Sequence, residues 1–279
     1  MVGTSLAILL EKAGLECIGV NTRSQTSYQR FCHYLWKEHL GLEQISSQAD
    51  LIFITTQDSA IEKVAEQLVK CKERKAGQIW IHCSGSVQSL VMCQDSTLEV
   101  GYLSVHPLQA FATIESALDL INGTHFGIEG NNDESEKLGE ILVGVLGGIP
   151  HKIDPLKKVL YHAGAVVASN YLVSLVYLAV KLLKLAGIKQ EDALESLLPL
   201  IAGSYRNITE EGLTGALTGP IARGDVEVVA KQLREIPNEF LDTYKGLGRL
   251  ALELGQDKKL GQGQSHDLEA FRDLTKILT

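Results

Sequence analysis

The length, composition and charge of the chain set its broad class. Its 279 residues are 45% hydrophobic and carry a formal net charge of −8 at pH 7, which suits a globular protein of one large or two ordinary domains and argues against nucleic acid or anionic membranes as partners. Five cysteines are scattered without CxxC spacing, so we expect reduced thiols, a cytoplasmic location and no metal centre.

The first predicted element is a helix. Leu6, Leu9 and Leu10 give the opening segment one apolar face, and Gly14 ends it. In a dinucleotide-binding βαβ unit, a buried strand and a glycine-rich turn come before such a helix. No such strand precedes Gly3 in this sequence. We therefore expect either a natural chain that starts further upstream or a shortened variant that lacks the first strand of the sheet.

Strands and helices alternate over residues 1–153, the predicted first domain. Short, mostly apolar runs predict five strands, and segments with helical spacing lie between them. This alternation predicts a Rossmann-type α/β domain with a doubly wound, mostly parallel sheet. The predicted strands are Leu15–Val20, Asp50–Thr56, Gln78–Gly85, Gly101–Leu108 and Thr124–Gly130.

Strand signals vanish after Ile153, so residues 154–279 are predicted to form an all-helical second domain. The predicted helices are Asp154–Ala186, Gln190–Tyr205, Asp225–Ile236, Asn238–Leu254 and His266–Leu278, with Asp225 as an N-cap and Gly261–Ser265 as a linker.

One part of the first of these helices, Ala163–Val180, contains no charged residue and approaches the composition of a membrane span. Polar residues such as Asn170 interrupt it, and Lys181 follows it directly. An amide in hydrocarbon would need a partner that a single helix cannot supply. We expect no membrane insertion and a helix covered on most sides, inside the helical domain or in a homodimer built on it.

The loop after the predicted strand Leu15–Val20 indicates the nucleotide. Asn21 stands where NAD-binding domains place the acid that accepts hydrogen bonds from the adenosine ribose, and Arg23 follows closely. A guanidinium can bind a 2′-phosphate through two parallel bonds, with the hydroxyls of Thr22 and Ser24 nearby. The alternative is a solvent-exposed arginine in a polar loop. The pattern favours NADP(H) over NAD(H).

Six motifs together resemble a known family: GTSLA from Gly3, TRS at 22–24, TTQDSAIEKVA from Thr55, HCSG at 82–85, SVHPLQAF at 104–111 and LTGPIARGD at 217–225. They are similar to a family of predicted NADP-dependent oxidoreductases with a Rossmann-like N-terminal domain and a helical C-terminal domain of unknown function. More distantly, the layout resembles ketopantoate reductase, pyrroline carboxylate reductase and 6-phosphogluconate dehydrogenase. The resemblance implies cofactor contacts from Gly3, Thr4, Ser5, Thr55, Thr56, Gln57, His82, Ser84 and Gly85.

The resemblance to ketopantoate reductase also selects catalytic candidates. That enzyme carries a lysine eight residues before an asparagine, and matching the asparagine to Asn170 places His162 at the lysine position, with Lys158 one turn earlier. An imidazolium can replace the lysine as general acid, although His162 is equally explained as a packing residue. Asn170 would need hydrogen-bond partners in so apolar a helix. His106 follows a predicted strand at the ligand-binding end of the sheet, where it either acts in catalysis or fixes its loop.

The predicted substrate is a small carboxylate. Arg223 could bind that carboxylate, or it could pair locally with Asp225. The sequence thus predicts NADP-dependent hydride transfer to a small keto or imino acid. The alternative is a non-catalytic nucleotide-binding or interaction protein, whose cofactor binding is impaired because the first strand is missing.

Overall fold

The computed structural model describes residues 1–261 and 268–279. They form two compact units, Met1–Ser169 and Asn170–Thr279. The first is a mostly parallel sheet with helices, and the described part of the second is helical, so the predicted fold class is confirmed. Apart from its first residue, the predicted linker Gly261–Ser265 lies outside the described residues.

The first unit is built on a five-stranded sheet in the order β1-β2-β3-β4-β5. β1, β2 and β3 run parallel, β4 is antiparallel to β3, and β5 is parallel to β4. The carboxyl ends of the three parallel strands, where sheets of this class bind ligands, therefore share one edge of the sheet. The strands are β1 Leu51–Ile54, β2 Ile79–His82, β3 Gly101–Pro107, β4 His125–Gly130 and β5 Ile149–Lys152.

Helices cover both faces of this sheet. Trp80 and Ile81 are neighbours on β2 and fall in two different hydrophobic clusters, because successive strand residues point to opposite faces. Burial on both faces explains why β2 and β3 are almost continuously apolar. The helices of this unit are α1 Val2–Lys12, α2 Gln25–Tyr34, α3 Leu42–Gln48, α4 Asp58–Val69, α5 Ile114–Leu120, α6 Asp133–Val145 and α7 Lys158–Val166.

Two strands of the first unit differ from the prediction. Leu15–Val20 does not form a strand, and only a single bridge joins Val20 to His39. Its apolar residues have the composition of a strand, but a strand also needs a neighbour to receive its backbone hydrogen bonds. β5 was not predicted, because it is short, mostly exposed and contains Pro150. It lies at the end of the sheet, where a proline is tolerated.

In the chain, α7 is followed by a π turn at Val167–Tyr171, where a single long helix was predicted. The second unit has helices α8 to α13. The predicted N-cap is confirmed, since the Asp225 carboxylate accepts a hydrogen bond from the Val228 N–H at 3.2 Å. α9 runs past its predicted end, with a break in helical geometry at Gly212, whose φ is +68°. The helices are α8 Leu172–Leu185, α9 Gln190–Ala216, α10 Pro220–Arg223, α11 Val226–Glu235, α12 Asn238–Gly261 and α13 Leu268–Leu278.

The core of the second unit leaves two helices largely uncovered. Phe271 and Leu274 are buried with Val229 and Leu252 in one cluster. By contrast, α8 has no buried residue and α9 has one. By length and composition alone, the helical stretch Pro155–Leu185 could also cross a membrane, and none of its most apolar part is buried. Exposed apolar surface on this scale usually marks an interaction site.

Candidate functional site

Helix α7 brings three side chains to the carboxyl end of β3. Lys158, Tyr161 and His162 have i, i+3, i+4 spacing and so share one face of the helix. They meet Ser104 and His106, which share one face of β3. The Lys158 Nζ donates to Ser104 Oγ at 2.5 Å, and the Tyr161 hydroxyl lies 3.0 Å from His106 Nδ1. The spacing along the helix thus matches the spacing along the strand.

The imidazole rings of His106 and His162 meet beside Gly85. Their centroids are 5.7 Å apart in an edge-to-face arrangement. A Cβ atom at Gly85 would lie 2.6 Å from His162 Cδ2 and 2.8 Å from His106 Nε2, which is closer than van der Waals contact allows. A glycine is therefore required at this position, and the loop after β2 runs directly against both rings.

The environment keeps His106 neutral. Burial, followed by the positive charges of His162 and Lys158, lowers the pKa of His106 to about 4. A neutral imidazole has one N–H and one lone pair. When the Tyr161 hydroxyl donates to Nδ1, the ring proton lies on Nε2, the nitrogen that faces Gly85. His106 can then donate a hydrogen bond from Nε2.

Lys158 shares a face of α7 with His162 and is 3% exposed. Its partner Glu129 on β4 is 2% exposed, with the carboxylate oxygen Oε2 at 3.4 Å from Nζ. Burial lowers the pKa of Lys158 to about 8, and the charge of Glu129 opposes this shift. A lysine in this setting is cationic at neutral pH and exchanges its proton within the physiological range.

The loop after β2 is held by its own side chains. The Ser84 N–H donates to His82 Nδ1 at 3.1 Å, and the Ser84 hydroxyl donates to the Asp58 carboxylate at 2.7 Å. Burial is the main cause that lowers the pKa of His82 to about 4. These contacts shape the turn that presents Gly85. The cofactor roles assigned to His82, Ser84 and Gly85 stay predictions.

The amino end of α1 lies against the carboxyl end of β1. A Cβ atom at Gly3 would overlap the Thr55 side chain, so glycine is favoured at this position. The N–H groups in the first turn of such a helix are of the kind that can bind phosphate. Thr55, Thr56 and Gln57 are exposed next to it, whereas Ser5 is buried. The cofactor roles assigned to Gly3, Thr4, Ser5 and the segment 55–57 stay predictions.

The predicted 2′-phosphate loop is partly occupied by contacts of the fold. The Asn21 amide donates to the Leu40 carbonyl at 2.7 Å, and the Ser24 hydroxyl caps α2 by accepting from the Ser27 N–H at 3.2 Å. Thr22 Oγ1 donates to the Ser24 carbonyl at 3.1 Å. Arg23 is exposed and forms no ion pair with the described part of the chain. Of the four residues, Arg23 is the one left to bind a ligand.

Two candidates belong to the second unit. Asn170 is its first residue and lies in the π turn. Arg223 is the last residue of α10 and is exposed. Among the residues that the structure describes, no ion pair joins Arg223 to Asp225, whose carboxylate caps α11 instead. The catalytic role of Asn170 and the substrate role of Arg223 stay predictions.

Sequence reasoning missed several polar groups around Lys158 and His106. Glu129 left a signal, because it is an acidic residue directly after the apolar run 126–128 of β4. Tyr161 could have been found from its spacing to Lys158 and His162. The hydroxyls left no comparable signal. The missed residues are Asp58, Ser89, Ser104, Glu129 and Tyr161.

Comparisons with known proteins agree with this architecture. Residues 1–107 match the family described as "Rossmann-like domain". Residues 124–251 match the family described as "Domain of unknown function (DUF2520)". The two family models thus match successive parts of the chain. The family resemblance expected from the motifs is thereby confirmed. No curated protein matches this chain in sequence.

Several solved structures share the fold of this chain over more than nine-tenths of its length. Protein TM1727 from Thermotoga maritima is 25% identical with a TM-score of 0.72, over 92% of this chain and 96% of that one. A Bacteroides fragilis protein provisionally assigned as an NADP oxidoreductase is 23% identical with a TM-score of 0.66, and the match covers 92% of this chain and 93% of that one. Plasmodium falciparum pyrroline carboxylate reductase, solved with NADP bound, is 14% identical with a TM-score of 0.57, over 93% and 94%.

Proposed function

We propose that the chain is an NADP-dependent oxidoreductase that transfers a hydride to the carbonyl or imine carbon of a small keto or imino acid. The observation that carries the proposal is the meeting of His106 and His162 beside Gly85, at the ligand-binding edge of a Rossmann-like sheet. The names of structurally similar proteins support the reaction class, since they include NADP-dependent reductases.

The chain's own groups suit this chemistry. The reduced nicotinamide, when bound, supplies the hydride, and negative charge then develops on the substrate oxygen. His162 is only half-buried, so it can reach a substrate and deliver a proton to that oxygen as general acid. The Nε2–H of neutral His106 can donate a hydrogen bond to the same oxygen, and the charge of the Lys158 ammonium, which already acts on His106, would favour the developing negative charge.

The substitution His162→Gln tests the proposal. Glutamine keeps a hydrogen-bond donor but has no transferable proton, so kcat should fall by about 10²–10⁴ while NADPH affinity stays unchanged. Oxidation of NADPH is followed at 340 nm against a panel of 2-keto acids and cyclic imines. His33→Gln, at an exposed histidine of α2, serves as the matched control. A His162→Gln variant with the wild-type kcat would overturn the assignment of the acid.

A second candidate function is nucleotide binding without catalysis. β1 lies at the end of the sheet, and Leu15–Val20, which precedes the predicted phosphate loop, pairs only through one bridge. The part of the site that would bind the adenosine therefore lies beside an end strand and a segment with little strand pairing, unlike the part that would bind the nicotinamide. Binding of NADPH without turnover on any member of the panel would favour this second function.

The exposed apolar surface of the second unit supports a homodimer as part of the proposal. Tyr171, Val173 and Tyr177 are 57%, 70% and 62% exposed near the start of α8, and Tyr205 on α9 is 70% exposed. A second copy would bury the same helices on both subunits, as a two-fold interface requires. The acidic net charge and the five free cysteines are consistent with a cytoplasmic dimer that has no nucleic-acid or membrane partner.

A further inference from the structure

Glu129 and Lys158 form a charged pair deep in the first unit. Their side chains are both 3% exposed, so the Glu129 carboxylate cannot touch a bound substrate. Moving two charges out of water costs several kcal/mol for each ion, and an apolar pair of similar volume would often be as stable. The pair therefore calls for an explanation other than stability.

The carboxylate of Glu129 is fixed by Ser89. The Ser89 N–H donates to Oε2 at 2.8 Å, and its hydroxyl donates to Oε1 at 2.6 Å. Ser89 begins the 3₁₀ turn Ser89–Met92, four residues after Gly85. Ser89, close to the loop that contacts His106 and His162, thus holds both carboxylate oxygens. These two hydrogen bonds do not depend on the position of Lys158.

Ser104 and Glu129 together define the position of the lysine. The Lys158 Nζ donates to Ser104 Oγ at 2.5 Å, and Ser104 Oγ donates to the Ser84 carbonyl at 3.2 Å. Because Ser104 uses its own proton on that carbonyl, its oxygen presents a lone pair to Nζ. The ammonium group is therefore held between a hydroxyl of β3 and a carboxylate of β4.

We propose that Glu129 is a positioning residue of the reductase site, which holds the Lys158 ammonium group in place beside His106. This inference rests on the proposed function. The charge of Lys158 is one cause of the lowered pKa of His106. Glu129 thus acts on the reacting atoms only through Lys158, by keeping a cation where negative charge develops. The charges of Glu129, Asp58 and Cys83 act on Lys158, and the charge of Lys158 acts on His82 and His106.

The first experiment measures the titration of Lys158 itself. In Glu129→Gln the shape is kept and the charge is lost, so the midpoint of Lys158 should fall by at least one pH unit. It is followed by NMR in protein labelled with ¹³C-lysine, and the signal is assigned with Lys158→Met. Glu140→Gln, which neutralises an acid 3.5 Å from the surface residue Lys152, should leave Lys158 unchanged. An unchanged midpoint in Glu129→Gln overturns the proposal.

The second experiment measures activity on the substrate found with NADPH. Glu129→Gln should lower kcat at least tenfold with little change in KM, and the alkaline limit of kcat should move to lower pH together with the Lys158 midpoint. Glu129→Asp keeps the charge and should recover part of both. Should Glu129→Gln fail to fold, Glu129→Asp still tests the proposal, because its shorter side chain withdraws the carboxylate from Nζ and should lower the Lys158 midpoint by a smaller amount. A fall in kcat with an unmoved alkaline limit would show that Glu129 is only structural.

The two proposals fail in different ways. Absence of turnover in the wild-type protein overturns the proposed function, whereas the lysine titration needs no substrate and still decides whether Glu129 holds the Lys158 charge.

Discussion

At the residue scale, the candidates for ligand contacts depend on which polar side chains already form hydrogen bonds within the protein. Asn21 and Ser24 bond to neighbouring backbone, but Arg23 is exposed and has no ion-pair partner in the described ranges. Exposure separates His162, which is partly exposed, from His82, which is fully buried. A polar side chain without a structural task is the better candidate for a ligand contact, because its hydrogen-bonding capacity is free.

Arg23→Ala tests the phosphate contact. A charge-assisted bond to the 2′-phosphate exists only with NADPH, so the Kd for NADPH should rise at least tenfold, about 1.4 kcal/mol, with little change for NADH. Both dissociation constants can be measured by isothermal titration calorimetry. Arg30→Ala, at an exposed arginine on α2, is the control. An equal loss for the two nucleotides would refute a role in selecting NADP(H).

At the element scale, the docking of α7 on the sheet determines which side chains meet in the candidate site. The helix contributes Lys158, Tyr161 and His162 from one face, and β3 supplies Ser104 and His106. Helical and strand periodicities bring these two sets of groups together although α7 and β3 are far apart in sequence. This arrangement buries a lysine, which lowers the free energy of unfolding by an amount that depends on pH.

The stability of the protein should therefore rise with pH in the alkaline range. The pKa of Lys158 is about 8 in the folded chain against an ordinary value of 10.5, so the unfolded chain binds more protons between these two values. Stability falls as pH drops from 10.5 towards 8 and is then constant for this group, a difference of up to about 3 kcal/mol.

Urea unfolding at pH 7.5 and pH 9.5 measures this effect. Other groups also titrate in this range, so the comparison is made with the double variant Lys158→Met/Glu129→Gln, which leaves no uncompensated charge in the core. We expect the wild-type protein to gain more stability between the two pH values than the double variant does. Equal gains would mean that Lys158 has an ordinary pKa in the folded chain.

At the scale of the whole molecule, the proposed dimer would cover the apolar surface of α8. Sedimentation should give about twice the 30.4 kDa mass of the chain. Val173→Glu should weaken the dimer at least tenfold without unfolding the subunit, because Val173 is 70% exposed in the single chain and a buried unpaired charge would be introduced only at the interface.

Trp36→Glu is the matched control, since Trp36 is 77% exposed on the first unit. This variant should dimerise as the wild type does. A monodisperse wild-type monomer at micromolar concentration would contradict the dimer. Partition of the wild type into neutral lipid vesicles would instead favour a membrane role for Pro155–Leu185.

The sequence by itself determined the order of most elements and the class of the fold. Apolar runs such as Gly101–Leu108 and helical spacing such as that of Val226, Val229 and Leu233 are local properties, and they were sufficient for β3 and α11. The N-cap at Asp225 could be read for the same reason. Short motifs are local as well, and they carried the family resemblance that the Rossmann-like and DUF2520 matches confirm.

Only the tertiary structure decided which strands form and which polar groups meet. Leu15–Val20 has a strand's composition, but its backbone finds only one bridge, and β5 forms despite Pro150 because β4 offers it a neighbour. Glu129 and Lys158 are 29 residues apart in sequence and share one buried site. Pairing and burial depend on contacts distant along the chain, and no local pattern records them.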